Sequence, residues 1–131
     1  MPADIELCEY LEDEGVGTVG TDIFAGSIPA GVASAIVLTL YPGDPPEHNL
    51  STTGWKIEIA RLQLRVRNTS ETTALSKAKS AADALSKIAN QTIESVRYRS
   101  VMLLQSPGLL YRDENNRPNY GFNIRAEKAP S

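Results

Sequence analysis

The chain has 131 residues, of which 41% are hydrophobic and 22% are charged, and its formal net charge is −3 with one cysteine and one histidine. This length suits one domain with a single core, and the composition excludes a disordered or fibrous chain. The negative charge disfavours sequence-independent binding of DNA or RNA, and no apolar run reaches membrane-spanning length. The first residues lack the basic and apolar stretches of a signal peptide, so we expect the protein to stay where it is made.

The first predicted element is a short amphipathic helix over residues 4–14. Its apolar side carries Ile5, Leu7, Cys8 and Leu11, and its polar side carries Glu6, Glu9, Glu12 and Asp13. Asp4 is a candidate N-cap and Gly15 a candidate stop, since these residue types favour those positions. Cys8 is expected to fill the core, because one cysteine cannot form an intrachain disulfide.

Two strands are predicted next. Residues 21–29 form a short candidate strand that ends at a proline. Residues 34–41 are dense in Ala, Ile, Val and Leu and are closed by Pro42-Gly43. Such a run is typical of a central strand that is buried on both faces.

A long exposed loop is predicted over residues 42–54, where three prolines and two glycines disfavour regular structure. Loops of this length in small domains often bind partners, so we expect this one to be a partner-facing arm. Its candidate contact residues are Asp44, Glu47, His48 and Asn49. The lone histidine with its acidic neighbours makes a poor metal site, because zinc needs several ligands on rigid elements.

A long strand is predicted over residues 55–67. Its apolar positions are 55, 57 and 59 and then 62, 64 and 66, so the alternation slips by one residue near Ala60-Arg61. Such a slip needs a bulge, a strong bend, or a strand whose two halves bury opposite faces. We expect this strand to leave its own sheet partway.

The second helix is predicted over residues 71–89, with Ser70 as N-cap and Asn90 as the stop. Its apolar stripe has the spacing of three and four residues that a helix requires. The stripe consists of Ala74, Leu75, Ala78, Ala81, Ala82, Leu85 and Ile88. Because alanine adds little bulk, this helix should lie close to the sheet.

The last third predicts a hairpin. Residues 96–106 and 118–127 both alternate as strands do, and a charged turn at 112–118 joins them. Residues 128–131 are expected to form a loose tail.

Together these elements predict a single α+β domain over residues 1–131. The expected order is helix, three strands, helix and two strands, with both helices packed on a twisted sheet that is mixed or mostly antiparallel.

The residues offer no catalytic constellation. The sequence has no second histidine and no second cysteine, which disfavours histidine-based triads and Cys-His pairs. We therefore predict neither enzyme activity nor a metal or cofactor site. The residues instead offer a candidate binding surface, a basic stripe. Gln63, Arg65 and Arg67 lie on one side of a strand, and we expect Arg97 and Arg99 to join them. The stripe either pairs with an acidic neighbour or consists of solvated charges that prevent edge aggregation.

Particular stretches resemble the tail terminator proteins of long-tailed bacteriophages. Residues 62–67, Leu-Gln-Leu-Arg-Val-Arg, run into the alanine-spaced helix much as the central strand and second helix of that family do. Residues 98–107 and 111–124 are similar to its closing hairpin. The resemblance covers nearly the whole chain.

This resemblance implies a hexameric ring at the head-proximal end of the tail tube. Such a ring would stop tube growth and dock the tail to a neck, connector or stopper protein, in a virion assembled in the host cytoplasm. DNA would pass through its lumen without specific binding, as the negative charge of each copy also favours. The family brings no catalytic residues, and the positions implied at its interfaces are Gln63, Arg65, Arg67, Arg112, Asp113 and Arg117.

Two alternatives stay open. One is another head-tail connector, such as a head completion or stopper protein. The other is a stand-alone ligand-binding or enzymatic module, which would need a concave pocket with convergent polar groups.

Overall fold

The structure, a computed structural model, describes residues 2–41, 47–48 and 56–129. Two helices and eight strands form within these ranges. In chain order they are α1 (Ala3–Asp13), β1 (Ile23–Ala25), β2 (Ala35–Tyr41), β3 (Glu47–His48), β4 (Lys56–Arg67), α2 (Glu71–Ser86), β5 (Ala89–Ile93), β6 (Val96–Leu103), β7 (Gly108–Arg112) and β8 (Pro118–Lys128). Both predicted helices and all five predicted strands are confirmed, and β3, β5 and β7 are additional.

The strands form one sheet in the order β1-β2-β4-β8-β6-β5, with β3 beside β4 and β7 beside β8. The pairing of β1 with β2 is parallel, and the other strand pairings are antiparallel. The sheet is therefore mixed and mostly antiparallel, as the sequence predicts.

Both helices pack on one face of this sheet. Helix α2 lies against β4, β6 and β8, whereas α1 lies against β1, β2 and β5. Because β1 and β5 stand at opposite ends of the strand order, the sheet must curl for one helix to contact both. Neither described helix combines the length and the hydropathy that crossing a bilayer requires.

Helix α2 begins where its cap predicts. The hydroxyl of Ser70 accepts a hydrogen bond from the backbone N–H of Thr73 at 3.4 Å. The predicted stripe is buried at Ala74, Ala78, Ala81, Ala82, Leu85 and Ile88, and half-buried at Leu75. The helix ends at Ser86, three residues earlier than predicted, and Asn90 is a residue of β5 rather than the helix stop.

Strand β4 explains the slip in its sequence pattern. Its pairing with β8 is unbroken from Glu58 to Arg67, so the strand contains no bulge along that length. Ile57 and Ile59 are buried on one face, whereas Leu62 and Leu64 are buried on the helix-bearing face. The two halves thus bury opposite faces, and the expectation that β4 leaves its sheet is wrong.

The predicted closing hairpin is present but broken. Two consecutive strands, β6 and β7, pair with β8, and residues 104–107 interrupt them. At the interruption the side-chain carbonyl of Gln105 accepts a hydrogen bond from the backbone N–H of Asn123 at 2.8 Å. This side chain replaces a backbone acceptor, so the ladder loses no hydrogen bond at Asn123.

A buried ion pair corrects two expectations, that Glu6 faces solvent and that Lys128 begins a loose tail. The exposed fraction is 0% for Glu6 and 1% for Lys128. The Lys128 ammonium and the Tyr98 hydroxyl donate to Glu6 Oε1 at 2.7 Å and 2.8 Å. Burial and then the hydrogen bond to Glu6 raise the pKa of Tyr98, so its phenol stays protonated.

The ends of α1 are set by backbone rather than by side-chain caps. The helix starts after Pro2, and Asp4 accepts a hydrogen bond from Ile5 within the first turn instead of acting as N-cap. The predicted stop at Gly15 is confirmed by its φ of 79°. Cys8 is buried, and burial followed by the charges of Asp4 and Glu9 raises its pKa to about 12, so the thiol is neutral at pH 7.

Candidate functional site

The sheet face without helices, called the open face, is polar along the second half of β4 and the part of β8 that pairs with it. Alternation on β4 and β8 sends apolar side chains to the helices and polar ones to this face. The open-face residues of the two strands include Arg61, Gln63, Arg65 and Arg67 opposite Arg125, Asn123, Gly121 and Asn119. An acidic protein therefore concentrates arginines on one surface.

The charges are densest where the end of β4, the end of β7 and the start of β8 meet. We call this region the arginine corner, and it comprises Arg65, Arg67, Arg112, Asp113 and Arg117. Arg65 donates to the side-chain oxygen of Asn119 at 2.8 Å, and its guanidinium carbon lies 5.9 Å from the Tyr111 ring centroid. The guanidinium is thus held by a neutral amide and an aromatic ring.

A glycine opposite Arg65 makes this arrangement possible. A Cβ at Gly121 would lie 2.0 Å from the carbonyl oxygen of Leu64 and 3.1 Å from the Leu110 side chain. Any larger residue would force the backbone of β4 and the Leu110 side chain apart from β8. Gly121 therefore allows β4 and the end of β7 to approach β8 closely.

Arg67 has no carboxylate among its hydrogen-bond acceptors in the described chain. Its guanidinium donates to the backbone carbonyl of Val32, and its Nε is buried without a hydrogen-bond partner. Burial, and then the like charges of Arg117 and Arg65, lower the pKa of Arg67. An added carboxylate would relieve this repulsion.

The β7–β8 turn holds the remaining members of the corner. Asp113 accepts hydrogen bonds from the guanidinium Nε of Arg117 at 2.8 Å and from its backbone N–H at 2.9 Å. Arg112 forms an ion pair with Glu71 in the first turn of α2. Arg112, Asp113 and Arg117 thus have partners within the chain and shape the turn.

The structure separates Arg97 and Arg99 from Arg65 and Arg67. Gln63 shares the open face with Arg65 and Arg67, but Arg97 and Arg99 lie on β6, whose residue Tyr98 pairs with Lys128 at the far end of β8. The cause is topological, because β6 pairs with the second half of β8 and β7 takes the first half. Arg99 pairs there with Glu127 at 3.6 Å.

The predicted partner-facing loop lies largely outside the described residues. Asp44 and Asn49 fall in that part, and Glu47 and His48 form β3, where they stand opposite Ile57 and Lys56. Their contact with a partner stays a prediction.

Sequence reasoning missed a set of exposed apolar side chains on β6, β7 and the break between them. We call this set the apolar ribbon, and it comprises Met102, Leu104, Leu109, Leu110 and Tyr111. Met102 is 57% exposed and Tyr111 is 48% exposed. Two adjacent leucines and a tyrosine just before a charged turn were the available signal, because a half-buried strand would alternate there.

The side chains gathered here are suited to binding proteins. Arginine, tyrosine and methionine are enriched in protein interfaces, and arginine and tyrosine in their energetic hot spots. Within residues 2–41, 47–48 and 56–129, no three His, Cys, Asp or Glu side chains are grouped so as to hold a metal ion.

The fold and this surface define a small α+β domain with one open sheet face of interface-type composition. The family model described as bacteriophage tail terminator protein matches residues 10–129, and the chain belongs to that family. The chain is therefore a structural protein of the phage tail and a virion component, and the resemblance drawn from residues 62–67 and the closing hairpin is confirmed.

A solved structure shares the fold. A chain from the virion of a native gene transfer agent particle superposes with a TM-score of 0.61 at 17% sequence identity, covering 98% of this chain and 87% of its own. A search of curated proteins finds no match.

Proposed function

We propose that this protein forms a ring of six copies, as the family resemblance implies, that caps the head-proximal end of the phage tail tube. The ring stops polymerisation of the tube and offers a docking surface to a neck, connector or stopper protein. The observation that carries this proposal is the tail terminator family match over residues 10–129.

Physical reasoning supports a cap that works by binding. A polymer of identical subunits grows because every added ring recreates the same heterologous docking surface, and a non-equivalent ring removes that surface. Such a cap needs two unlike faces and no chemical step. The acidic helix α1 and the loop at 42–54 are the candidates for those faces, and the arginine corner with Gln63 is the candidate for contacts between subunits.

The negative charge of each copy fits a ring through which DNA passes. A chain with a formal net charge of −3 attracts phosphates weakly as a whole. DNA would therefore traverse the lumen without specific binding. Assembly would take place in the host cytoplasm, before or during the joining of heads and tails.

The test is a phage that lacks this protein. We expect filled heads beside unattached tails that are overlong or ragged, because tube growth has no stop, and purified protein added to the lysate should restore joining. Tail lengths and joined particles are measured by electron microscopy. Tails of normal length that fail only to join heads would instead identify another neck component, and normal joined particles would contradict both functions.

A further inference from the structure

We propose that the arginine corner of one copy binds an acidic groove of a second copy, so that subunits join head to tail. The acidic groove is formed by the end of α1 and the β5–β6 turn, and comprises Asp13, Glu14, Gln91, Thr92 and Glu94. This inference rests on the proposed ring and names the two surfaces that hold it together.

The basic surface has two arginines without a carboxylate partner among the described residues. The acceptors of Arg65 and Arg67 are the neutral oxygens of Asn119 and Val32, and the buried Nε of Arg67 has no hydrogen-bond partner. Guanidinium groups bind carboxylates through paired, charge-assisted hydrogen bonds. The corner also borders an open concavity of about 480 Å³ lined by Arg67 and the β7–β8 turn, which carries Asp113 and Glu114 as well as Arg112 and Arg117. These features favour a partner that inserts carboxylates.

The acidic surface lies on a free sheet edge. Among the described strands β5 pairs with β6 only, so no described strand covers its other side. Asp13, Glu14 and Glu94 line a groove of about 250 Å³ along that edge, and the described lining contains no cation. Asp13 and Glu94 are exposed, so their carboxylates are accessible to a partner.

The two surfaces stand at opposite ends of the sheet. Arg67 lies opposite Asn119 near the start of β8, whereas Tyr98 of β6, just after the acidic turn, pairs with Lys128 at its end. An extended strand covers about 30 Å between those positions. The charges are too distant to pair within one copy, and unlike surfaces on one molecule generate a ring or a filament.

The apolar ribbon favours a protein over a nucleic acid as the occupant. Tyr111 adjoins Arg65, and Leu110 adjoins Gly121, which stands opposite Arg65. Among the described strands β7 pairs with β8 only, which leaves a second sheet edge without a described neighbour. Exposed apolar edge strands are a hazard unless a partner covers them. Phosphate backbones offer no apolar surface for this purpose.

The two ends of α1 then have different roles. Its C-terminal end, with Asp13 and Glu14, belongs to the contact between copies. Its first turns, where Asp4 is half-buried and Ile5 is exposed, stay available to the tube or the neck.

The test is a charge exchange on the full chain. One variant carries Arg65→Glu and Arg67→Glu, and the other carries Asp13→Lys and Glu94→Lys. Each variant should need an about hundredfold higher concentration to assemble, because like charges then face each other across the contact. A one-to-one mixture should assemble like the wild type, since each reversed surface then meets its complement. Sedimentation velocity at low and high salt measures assembly.

Controls separate this contact from general charge and from folding. The variant Lys77→Glu with Lys79→Glu makes the same charge change as the arginine variant, but on α2. It should assemble like the wild type. Circular dichroism checks each fold, and if the first variant unfolds, Arg65→Gln with Arg67→Gln replaces it and should still weaken assembly.

Three results would overturn the inference. They are a monomeric wild type, undiminished assembly of either reversed variant, and a mixture that stays unassembled. If the Arg65→Glu, Arg67→Glu variant assembles undiminished but loses binding to duplex DNA, the second result assigns the corner to nucleic acid. Each of these leaves the capping function open to its own test, the tail lengths of the deletion phage.

Discussion

Glu6 and Lys128 are 122 residues apart in the sequence and form an ion pair in the core. Tyr98 donates to the same carboxylate oxygen, and Glu6 Oε2 is buried without a hydrogen-bond partner. A buried charge is costly unless its partner is present, so each member of the pair depends on the other. The pair fixes where α1 sits relative to β6 and β8.

Replacing one partner should therefore be severe. We predict that Lys128→Met lowers the free energy of unfolding by about 3–5 kcal/mol, because the buried Glu6 carboxyl loses its cationic partner. Urea denaturation measures the loss. The double variant Glu6→Leu, Lys128→Met should recover most of it, and the exposed control Lys79→Met should change stability by less than about 0.5 kcal/mol. A single variant as stable as the control would show that the pair is not buried as described.

At the scale of elements, the alanine stripe of α2 determines how closely the helix lies on the sheet. Ala74, Ala78 and Ala81 are fully buried against the core, and Leu85 adds the largest buried side chain of the stripe. Small side chains on the inner face let a helix backbone approach the strands. Packing along α2 is therefore the main attachment of the helix layer to β4, β6 and β8.

A charge in this stripe should unfold the domain. We predict that Leu85→Asp costs more than about 4 kcal/mol, because the carboxylate has no partner in the core. Ser80→Asp on the exposed side of the same helix is the matched control and should change little. Thermal denaturation followed by circular dichroism compares the two, and equal melting temperatures would contradict the packing of α2 on the sheet.

The periodic elements could be predicted from the sequence because their patterns are local. Local apolar spacing predicts which side chains are buried, as in the alternation at Leu62, Leu64 and Val66 and the stripe around Ala78. Strand β5 was missed, since Asn90, Gln91 and Thr92 read as a polar linker and an edge strand needs no apolar run. Polar edge strands are defined by their neighbours rather than by their own composition.

The candidate site was predicted only in part, for a similar reason. Arg65 and Arg67 could be placed on one face from alternation within β4. The separation of Arg97 and Arg99 from them depends on which half of β8 each strand pairs with, and no local pattern contains that register. Glu6 also looked solvated on a helical wheel, because its partner Lys128 lies at the other end of the chain.

At the scale of the whole molecule, the two ends of the sheet carry opposite charges. Arg65 and Arg67 stand near one end, and Asp13, Glu14 and Glu94 near the other. A chain with a small net charge can thus carry two strong and opposite surfaces. This distribution favours a directional assembly such as a ring in a tail.

The central claim is that this protein ends tube growth, and tube polymerisation with purified components tests it most directly. Tube subunits are polymerised with increasing amounts of fluorescently labelled protein, and tube lengths and label positions are measured by microscopy. We expect the mean length to fall as the protein is added, with label at one end of each tube. Unchanged lengths, or label distributed along the tubes, would contradict it.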